Sequence, residues 1–308
     1  MDVLDDILTT LDLRGALYFR TDFSAPWAVR VPDHEQAARF HLVIDGRCHV
    51  GFPSGRSLLL GPGDLLLIPG GRAHVLADAP GRDAPALETV LHEAGYDGDG
   101  VLVLGGGDPL AATQMLCGHF TFRAGADHPL LRALPEFLLT GAADRAREPW
   151  LDDVLRLIAR RLYEDRPGSA AVVTRLSEIV YIEVLRRAVA QEPALVGLLQ
   201  AFRDPQIGRA LHLMHRQPAE AWSVQSLARA AGMSRSRFAE RFADLLQTGP
   251  MAYLADWRLQ KALALLVESR LDIRQIAGRT GYRSPAAFTR AFAARFGCSP
   301  REYRQNDL

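Results

Sequence analysis

The sequence predicts a multidomain α+β protein, with a small β-barrel at the N-terminus, helices in the middle and an all-α domain at the C-terminus. Residues 1 to about 125 hold short apolar or alternating runs between turns rich in Gly, Pro and Ser, which is typical of strands. From Trp150 onward, apolar residues recur at helical spacing. The C-terminal third carries one helical unit twice, and a length of 308 residues favours more than one domain.

The composition excludes several classes of protein. With 48% hydrophobic and 23% charged residues, the chain is typical of a water-soluble globular protein. No apolar run approaches the roughly 18 residues that span a bilayer, and the acidic start "MDVLDDILTT" lacks the order of a signal peptide. Three cysteines, Cys48, Cys117 and Cys298, are too few and odd in number for a disulfide framework. These features predict a cytoplasmic protein with no membrane partner.

The strands of the N-terminal half are predicted from three stretches. Residues 39–52 and 56–77 are apolar or alternating runs with Pro-Ser-Gly and Gly-Pro-Gly turns. In 113–123, Met115, Cys117 and His119 fall on one face of a strand, and Phe120 falls on the other. Short strands with regular turns favour a sandwich or small barrel. Residues 93–109, rich in Gly and Asp, are predicted to form a flexible connection.

Two amphipathic helices are predicted between about 150 and 190. Their apolar stripes include Leu151, Leu155 and Ile158 in the first, and Val173, Ile179 and Val184 in the second. We expect both stripes to be buried. They pack either within one chain or across the two-fold axis of a homodimer, and the sequence leaves both open.

The repeated unit is a short apolar helix, a turn with Gly and a second helix that starts at Ser. The copies are "SLARAAGMSRSRFAERF" (226–242) and "QIAGRTGYRSPAAFTRAF" (275–292). Gly232 and Gly281 suit the left-handed backbone after the first helix, and Ser234 and Ser284 suit the N-cap of the second. Two such units predict a double helix-turn-helix.

The charge is unevenly distributed along a chain with no net charge. From Pro205 to the end there are 16 Arg and Lys residues against 8 Asp and Glu residues, so the preceding part has the opposite excess. A basic domain joined to an acidic one favours binding to double-stranded DNA.

On these residues the segment 208–304 resembles the DNA-binding domain of the AraC/XylS family. "DIRQIAGRTGYRSPAAFTRAFAARFGCSPREYR" is similar to the signature half of that domain. The resemblance implies a transcriptional regulator, an activator or a repressor, that reads promoter DNA, with RNA polymerase as a further partner and Leu254–Glu268 as the helix that links the two motifs. Two recognition helices held about one DNA turn apart read successive major-groove segments.

The resemblance also implies roles for the first recognition helix. Ser236, Ala239 and Glu240 would face the bases, with Glu240 either accepting a hydrogen bond from cytosine or remaining a surface carboxylate. Its arginines are expected at phosphates: Arg235, Arg237 and Arg241.

For the second recognition helix, the resemblance places Arg290 at a base, where its guanidinium suits guanine. Ala286 and Ala287 would contact a thymine methyl group. Arg279 and Arg283 are expected at phosphates.

The stretch "GPGDLLLIPGGRAHVLAD" resembles a conserved stretch of cupins, which implies a cupin-like barrel over about 15–125. The matching residues are Gly63, Asp64, Pro69, Gly71 and His74. Cupin enzymes hold a metal through an earlier His-x-His and Glu, and Pro32, His34 and Arg39 stand at those positions here. The broken metal triad argues against catalysis. The alternative function is a cupin-fold enzyme with an appended DNA-binding domain.

A different cluster is predicted inside the barrel. Strand alternation turns His41 inward with residue 39, and Cys117 and His119 share a face, so these could meet His74. A thiolate with imidazoles suits zinc or copper. Reactive-chlorine-sensing regulators of this subgroup resemble the chain at His41, His74 and Cys117-Gly118, which implies an oxidant or metal signal. The alternative is that the histidines are hydrogen-bonded barrel residues and Cys117 is a small buried apolar residue.

The sequence therefore predicts three ranges: a cupin-like sensor domain at 1–130, a helical linker with a dimerisation role at 131–203 and the DNA-binding domain at 204–308. The predicted function is a sequence-specific transcriptional regulator that senses a metal, an oxidant or another small molecule. A further alternative is an architectural DNA-binding protein with an inert barrel.

Overall fold

The computed structural model describes residues 3–34, 37–97, 100–108, 112–162, 167–191 and 200–306. Contacts divide the chain into two compact units. We call them the sheet unit, Arg14–Thr121 with Leu134–Ala188, and the helical unit, Met1–Leu13 with Phe122–Ala133 and Val189–Leu308. The three ranges predicted from the sequence remain a prediction. Their boundaries differ from those of the two units, because residues 1–13 and 122–133 group with the C-terminal helices.

The sheet unit contains two sheets within the described residues. Sheet A has the strand order β10-β6-β3-β9-β1-β8, and sheet B has the order β2-β7-β4-β5. Neighbouring strands are antiparallel except that β8 runs parallel to β1. The strands are β1 Arg14–Phe23, β2 Ala28–Val31, β3 Ala37–Asp45, β4 Cys48–Gly51, β5 Ser57–Leu60, β6 Leu65–Ile68, β7 His74–Ala77, β8 Val101–Leu104, β9 Thr113–Thr121 and β10 Leu138–Thr140.

The main core of the sheet unit lies between the two sheets, because alternate residues of each strand point inward. Val43 and Met115 of sheet A share this core with Val50 and Leu76 of sheet B. This arrangement agrees with the predicted small cupin-like barrel. Four of the described strands lie outside the predicted stretches: β1 and β2 precede them, β8 lies within the expected connection at 93–109, and β10 follows the expected end of the barrel.

Helices cover the outer face of sheet A. Phe120 lies 4.6 Å from the Tyr181 ring, centroid to centroid, and Phe40 and Leu116 share this apolar layer. The helices of the sheet unit are α2 Leu87–Glu93, α4 Ala142–Arg147, α5 Pro149–Leu162 and α6 Ser169–Gln191. The apolar stripes of α5 and α6 are therefore buried mainly within one chain, although Ile179 is 48% exposed, contrary to expectation.

Among the described residues of the helical unit, all regular secondary structure is helical. Residues 3–11, expected to belong to the β-rich half, form a helix, because Ile7, Leu8 and Leu11 recur at helical spacing and are buried. The helices are α1 Val3–Leu11, α3 Pro129–Arg132, α7 Ile207–Arg216, α8 Val224–Ala230, α9 Arg235–Leu246, α10 Pro250–Glu268, α11 Ile273–Arg279, α12 Pro285–Phe296 and α13 Pro300–Asn306.

Both helix-turn-helix units are built as the sequence predicts. The Ser234 and Ser284 hydroxyls accept hydrogen bonds from the N–H groups of Arg237 and Ala287 and cap α9 and α12. Gly281 has φ of +83°, and an added Cβ would lie 2.8 Å from the Arg258 guanidinium. The inner faces of α9 and α12 are fully buried at Phe238, Phe242, Phe288 and Phe292. In the part of the chain described, no helix has the length and apolar character needed to cross a membrane.

Candidate thiol site and nucleic-acid interface

His41, His74 and Cys117 meet in the core of the sheet unit. His41 on β3 and Cys117 on β9 are directly paired across the antiparallel strands. Nδ1 of His41 lies 3.1 Å from Sγ of Cys117, and Nε2 of His41 lies 2.8 Å from Nε2 of His74. The three residues are 4%, 1% and 2% exposed. The structure thus brings together the three residues that strand alternation and the cupin resemblance had selected.

The position of His74 depends on the turn that precedes β7. Gly71 has φ of +61°, and an added Cβ would lie 2.2 Å from the carbonyl oxygen of His34. Only glycine fits such a close backbone approach in the left-handed region. The turn starts β7 at His74, whose Nδ1 lies 2.8 Å from the carbonyl oxygen of Arg72.

The hydrogen bonds of this cluster have one consistent direction when both rings are neutral. Because the Arg72 carbonyl only accepts, Nδ1 of His74 must carry the proton and its Nε2 must accept. His41 therefore donates from Nε2, its Nδ1 accepts, and the Cys117 thiol donates to it. The cluster is a relay of donors from the thiol to a backbone carbonyl.

Burial keeps every member of the relay neutral. Burial lowers the pKa of His74 to about 4. Burial, together with the repulsion that His41 would meet from a protonated His74 and from the Arg39 cation, holds the pKa of His41 well below its ordinary value. Burial also raises the pKa of the Cys117 thiol far above its ordinary value. The resting site therefore contains a thiol and two imidazoles, and not a thiolate beside an imidazolium.

Arg39 is a charged neighbour of this cluster that the sequence reading treated only as a missing metal ligand. It is buried, and its Nη2 donates to the Pro32 carbonyl oxygen at 3.2 Å. Its charge disfavours protonation of both imidazoles and favours a thiolate at Cys117. Arg39, His41 and Cys117 line a cavity of about 20 Å³ together with apolar side chains such as Phe23. That volume accommodates about one water-sized molecule.

The structure does not support the predicted zinc or copper centre, nor the metal that a cupin fold implies. His41 uses its two nitrogens toward different partners, so it bridges Cys117 and His74 and does not converge with them on one point. The cation of Arg39 replaces a carboxylate ligand. His119 lies apart from the relay, with its ring 5.7 Å from that of His34. In the described ranges, no group of three His, Cys, Asp or Glu side chains could hold a metal ion.

The first recognition helix, α9, presents most of its predicted DNA-binding residues to solvent. Arg235, Ser236, Arg237 and Glu240 are exposed, and Ala239 is half-buried. Arg241 is exposed but engaged, because its Nε donates to Asp204 at 2.9 Å. Sequence reasoning missed this pair, since the two residues lie on different elements.

The second recognition helix, α12, exposes Ala286 and Arg290, and Ala287 is half-buried. Arg279 and Arg283 are exposed before it. Small residues on the outer face of a capped helix allow the helix to lie in a DNA major groove, and arginines beside it can contact the DNA. Most of these residues are exposed, as their predicted contacts require, and the contacts themselves stay a prediction.

Family models match both halves of the chain. A model described as "Cupin" matches residues 2–190, which is more than half of the chain. A model described as "Helix-turn-helix domain" matches residues 227–306. The two matches correspond to the strand-rich part and to the paired motifs of the structure.

Relatives match over their full length. The chain is 32% identical to the "HTH-type transcriptional regulator AlkR" of Acinetobacter baylyi, covering 99% of both chains. It is 32% identical to a "Putative AraC-like transcription regulator" of Streptomyces antibioticus, covering 100% of both. It is 28% identical to the "RCS-specific HTH-type transcriptional activator RclR" of Escherichia coli, covering 99% of this chain and 98% of the relative.

Proposed function

Since the chain belongs to the AraC-type helix-turn-helix transcriptional regulators with an N-terminal cupin domain, we propose that Cys117, His41 and His74 form the site where it receives its signal. It is a sequence-specific DNA-binding regulator whose cupin domain senses a small signal. The 3.1 Å contact between the Cys117 thiol and Nδ1 of His41 is the chief support for this site. A buried thiol that donates to a proton acceptor can lose its proton and react as a nucleophile. A cysteine that serves only as a small apolar core residue needs no such partner.

The signal that fits this site best is a small neutral oxidant, such as hydrogen peroxide or hypochlorous acid. The adjoining cavity of about 20 Å³ admits a molecule close to the size of water. With peroxide, the sulfur donates an electron pair to one oxygen, the O–O bond breaks, and the thiol proton passes by way of His41 to the departing hydroxide. The products are a sulfenic acid and water. The E. coli relative is named an RCS-specific activator, which is consistent with an oxidant signal.

The neighbours of Cys117 would make this reaction selective. His41 accepts the thiol proton as the sulfur attacks, and the charge of Arg39 stabilises the thiolate that develops. Because the resting thiol is neutral and buried, bulky or charged oxidants are excluded.

Cys48 provides an internal control for this proposal. It is fully buried like Cys117, and burial raises its pKa to about 12, but its thiol has a backbone contact at 3.6 Å and no imidazole partner in the hydrogen bonds of the described chain. With limiting peroxide, peptide mass spectrometry should find Cys117 oxidised before Cys48. The variant His41→Phe should remove that difference. Equal oxidation of both thiols in the wild type would contradict the proposal, as would stoichiometric zinc or copper that Cys117→Ser releases.

For DNA recognition, we infer that Arg290 contacts a base and that Arg235, Arg237, Arg279 and Arg283 contact phosphates. Their exposure beside the two capped helices supports this division. Glu240, Ser236, Ala239, Ala286 and Ala287 are the remaining candidates for the base edges. Arg241 would contribute less, because Asp204 already neutralises it.

A homodimer is supported by the outer face of α6. Val172, Ile179 and Ile182 are 45%, 48% and 36% exposed, and they follow one side of the helix at near-heptad spacing. Exposed apolar stripes of this kind mark interaction surfaces, and a self-complementary stripe suits a two-fold axis. We propose that α6 pairs with its copy in a second chain.

The remaining properties follow from the role on DNA. A regulator acts where its promoters are, which is the cytoplasm of a bacterial cell. The relative named a transcriptional activator supports activation, and we propose that this chain activates by contacting RNA polymerase. Pro32 and Arg39, standing where cupin enzymes have metal ligands, support a sensor without catalytic activity.

A further inference from the structure

Two short segments complete the helical unit. We call residues 3–13 and 122–133 together the clasp. Ile7 and Leu11 of α1 are fully buried, and α1 packs against α7 and α10. The two segments are joined to each other, because the N–H of Arg123 donates to the carbonyl oxygen of Leu11 at 2.9 Å. The clasp is therefore a built part of the unit that carries both DNA-binding motifs.

One end of the clasp contacts α7 and α10, the two helices that pack on the first helix-turn-helix. Asp6 on α1 is buried and pairs with Lys261 of α10 at 2.5 Å, and its Oδ2 lies 3.3 Å from Nδ1 of His215 on α7. Nε2 of His215 lies 2.8 Å from the Tyr253 hydroxyl, which lies 3.2 Å from Nε2 of His128. Both clasp segments thus reach the same buried polar network at the start of α10.

The other end of the clasp holds the second helix-turn-helix. Asp127 pairs at 2.7 Å with Arg295, at the end of recognition helix α12, and Arg295 also pairs with Asp256 of α10. The Tyr303 hydroxyl on α13 donates to the carbonyl oxygen of Ala124 at 2.6 Å. Gly125 approaches Phe296 so closely that an added Cβ would lie 3.2 Å from its ring.

Helix α10 is the element between these two sets of contacts. It joins the motifs, and it packs on α9 of the first motif, on α11 of the second and on α13, which follows the second motif. Clasp residues contact α10 along its length. His128 contacts Tyr253, the N–H of Asp127 donates to Gln260, Asp6 pairs with Lys261, and Arg123 pairs with Glu268. A brace that contacts the second motif and the connecting helix directly, and the first motif through α7 and α10, restricts how far the recognition helices can move apart or rotate.

We propose that the clasp sets the spacing and phase of the two recognition helices, so that they read two major-groove segments together. Asp6, Arg123 and Asp127 are positioning residues in this proposal, since none lies on a recognition helix. The role is independent of the signal at Cys117 and goes beyond the assignment of DNA-contacting residues.

The test compares two DNA duplexes. The first is selected from a random pool by the full wild-type chain, and the second carries one extra base pair between its two protected segments. The wild type should prefer the first duplex strongly, since the extra pair rotates and shifts one segment. For Asp6→Ala the ratio of the two affinities should fall by about tenfold, as expected for a lost contact to a charged group.

The exposed carboxylate of Glu88 on α2, outside the clasp, provides the control. Glu88→Ala also removes one negative charge and should leave the ratio unchanged. Asp127→Ala, on the other clasp segment, should reproduce the effect of Asp6→Ala and keeps the test valid if one variant fails to fold. A clasp variant that weakens both duplexes by the same factor would overturn the proposal, because loss of stability alone does not relax spacing. A wild type indifferent to the inserted base pair would also overturn it.

Discussion

Nε2 of His41 lies 2.8 Å from Nε2 of His74, and this contact fixes the direction of the hydrogen bonds that begin at the Cys117 thiol. Because Nδ1 of neutral His74 carries the ring proton and donates it to the Arg72 carbonyl, Nε2 of His74 can only accept a hydrogen bond from His41. The other nitrogen of His41 is then left as the acceptor for the thiol. One backbone carbonyl thereby orients a proton relay in the core of the sensor.

The first prediction concerns pH. Since burial lowers the pKa of folded His74 to about 4, the unfolded chain binds the extra proton first as the pH falls below 6.5. The stability gained from neutral His74 is complete above pH 6.5 and is lost progressively toward pH 4, by up to about 3 kcal/mol. Denaturant unfolding of His74→Gln between pH 7 and 5 should show a shallower loss than the wild type. The exposed-residue variant His92→Gln should match the wild type, and equal slopes in all three chains would contradict a buried neutral His74.

The second prediction concerns base reading. Arg290→Ala should weaken binding to the selected duplex by about 1–3 kcal/mol and relax discrimination at one base pair, because a bidentate contact to guanine is lost. Arg237→Ala should weaken binding to selected and random duplexes alike, because a phosphate contact carries no sequence information. Competition titrations with single-base substitutions measure both effects. If Arg290→Ala affected every sequence equally, Arg290 would be a phosphate contact.

The third prediction concerns assembly. Ile179→Glu should shift the protein from dimer to monomer in sedimentation experiments, because a charge would be placed within the exposed apolar stripe of α6. Val103→Glu is the matched control, since Val103 is an even more exposed apolar residue on the edge strand β8. A dimer that survives Ile179→Glu, or one that Val103→Glu disrupts instead, would place the interface elsewhere.

The repeated motifs and half of the thiol site were predictable because their determinants are local. Ser234 and Ser284 cap helices through their own backbone neighbours, and strand alternation puts His41 on one face with residue 39 and Cys117 on one face with His119. His74 required the cupin resemblance, since its place depends on the turn at Gly71. His119 shares the alternation of Cys117 but stacks near His34, because the period of a strand does not show where along a face two residues meet.

The clasp was not predictable, because its pairs join residues far apart in the sequence. Asp6 and Lys261 are separated by most of the chain, and the acidic start around α1 was read only as evidence against a signal peptide. The place of Arg39 was not predictable either. The sequence shows that an arginine cannot act as a metal-binding carboxylate, but it does not show that Arg39 lines the same cavity as Cys117.

The most direct measurement is the affinity of the full-length chain for the selected duplex before and after treatment with limiting hydrogen peroxide or hypochlorous acid. The wild type should change its affinity by a factor of about 5–150, the usual range of coupling between sites, and a thiol reductant should restore it. Cys117→Ser should bind like the untreated wild type in both conditions, because the serine hydroxyl can still donate to His41 and preserve the resting relay. A Cys117→Ser chain that responds as the wild type does, or a wild type whose affinity neither oxidant changes, would contradict Cys117 as the signal site.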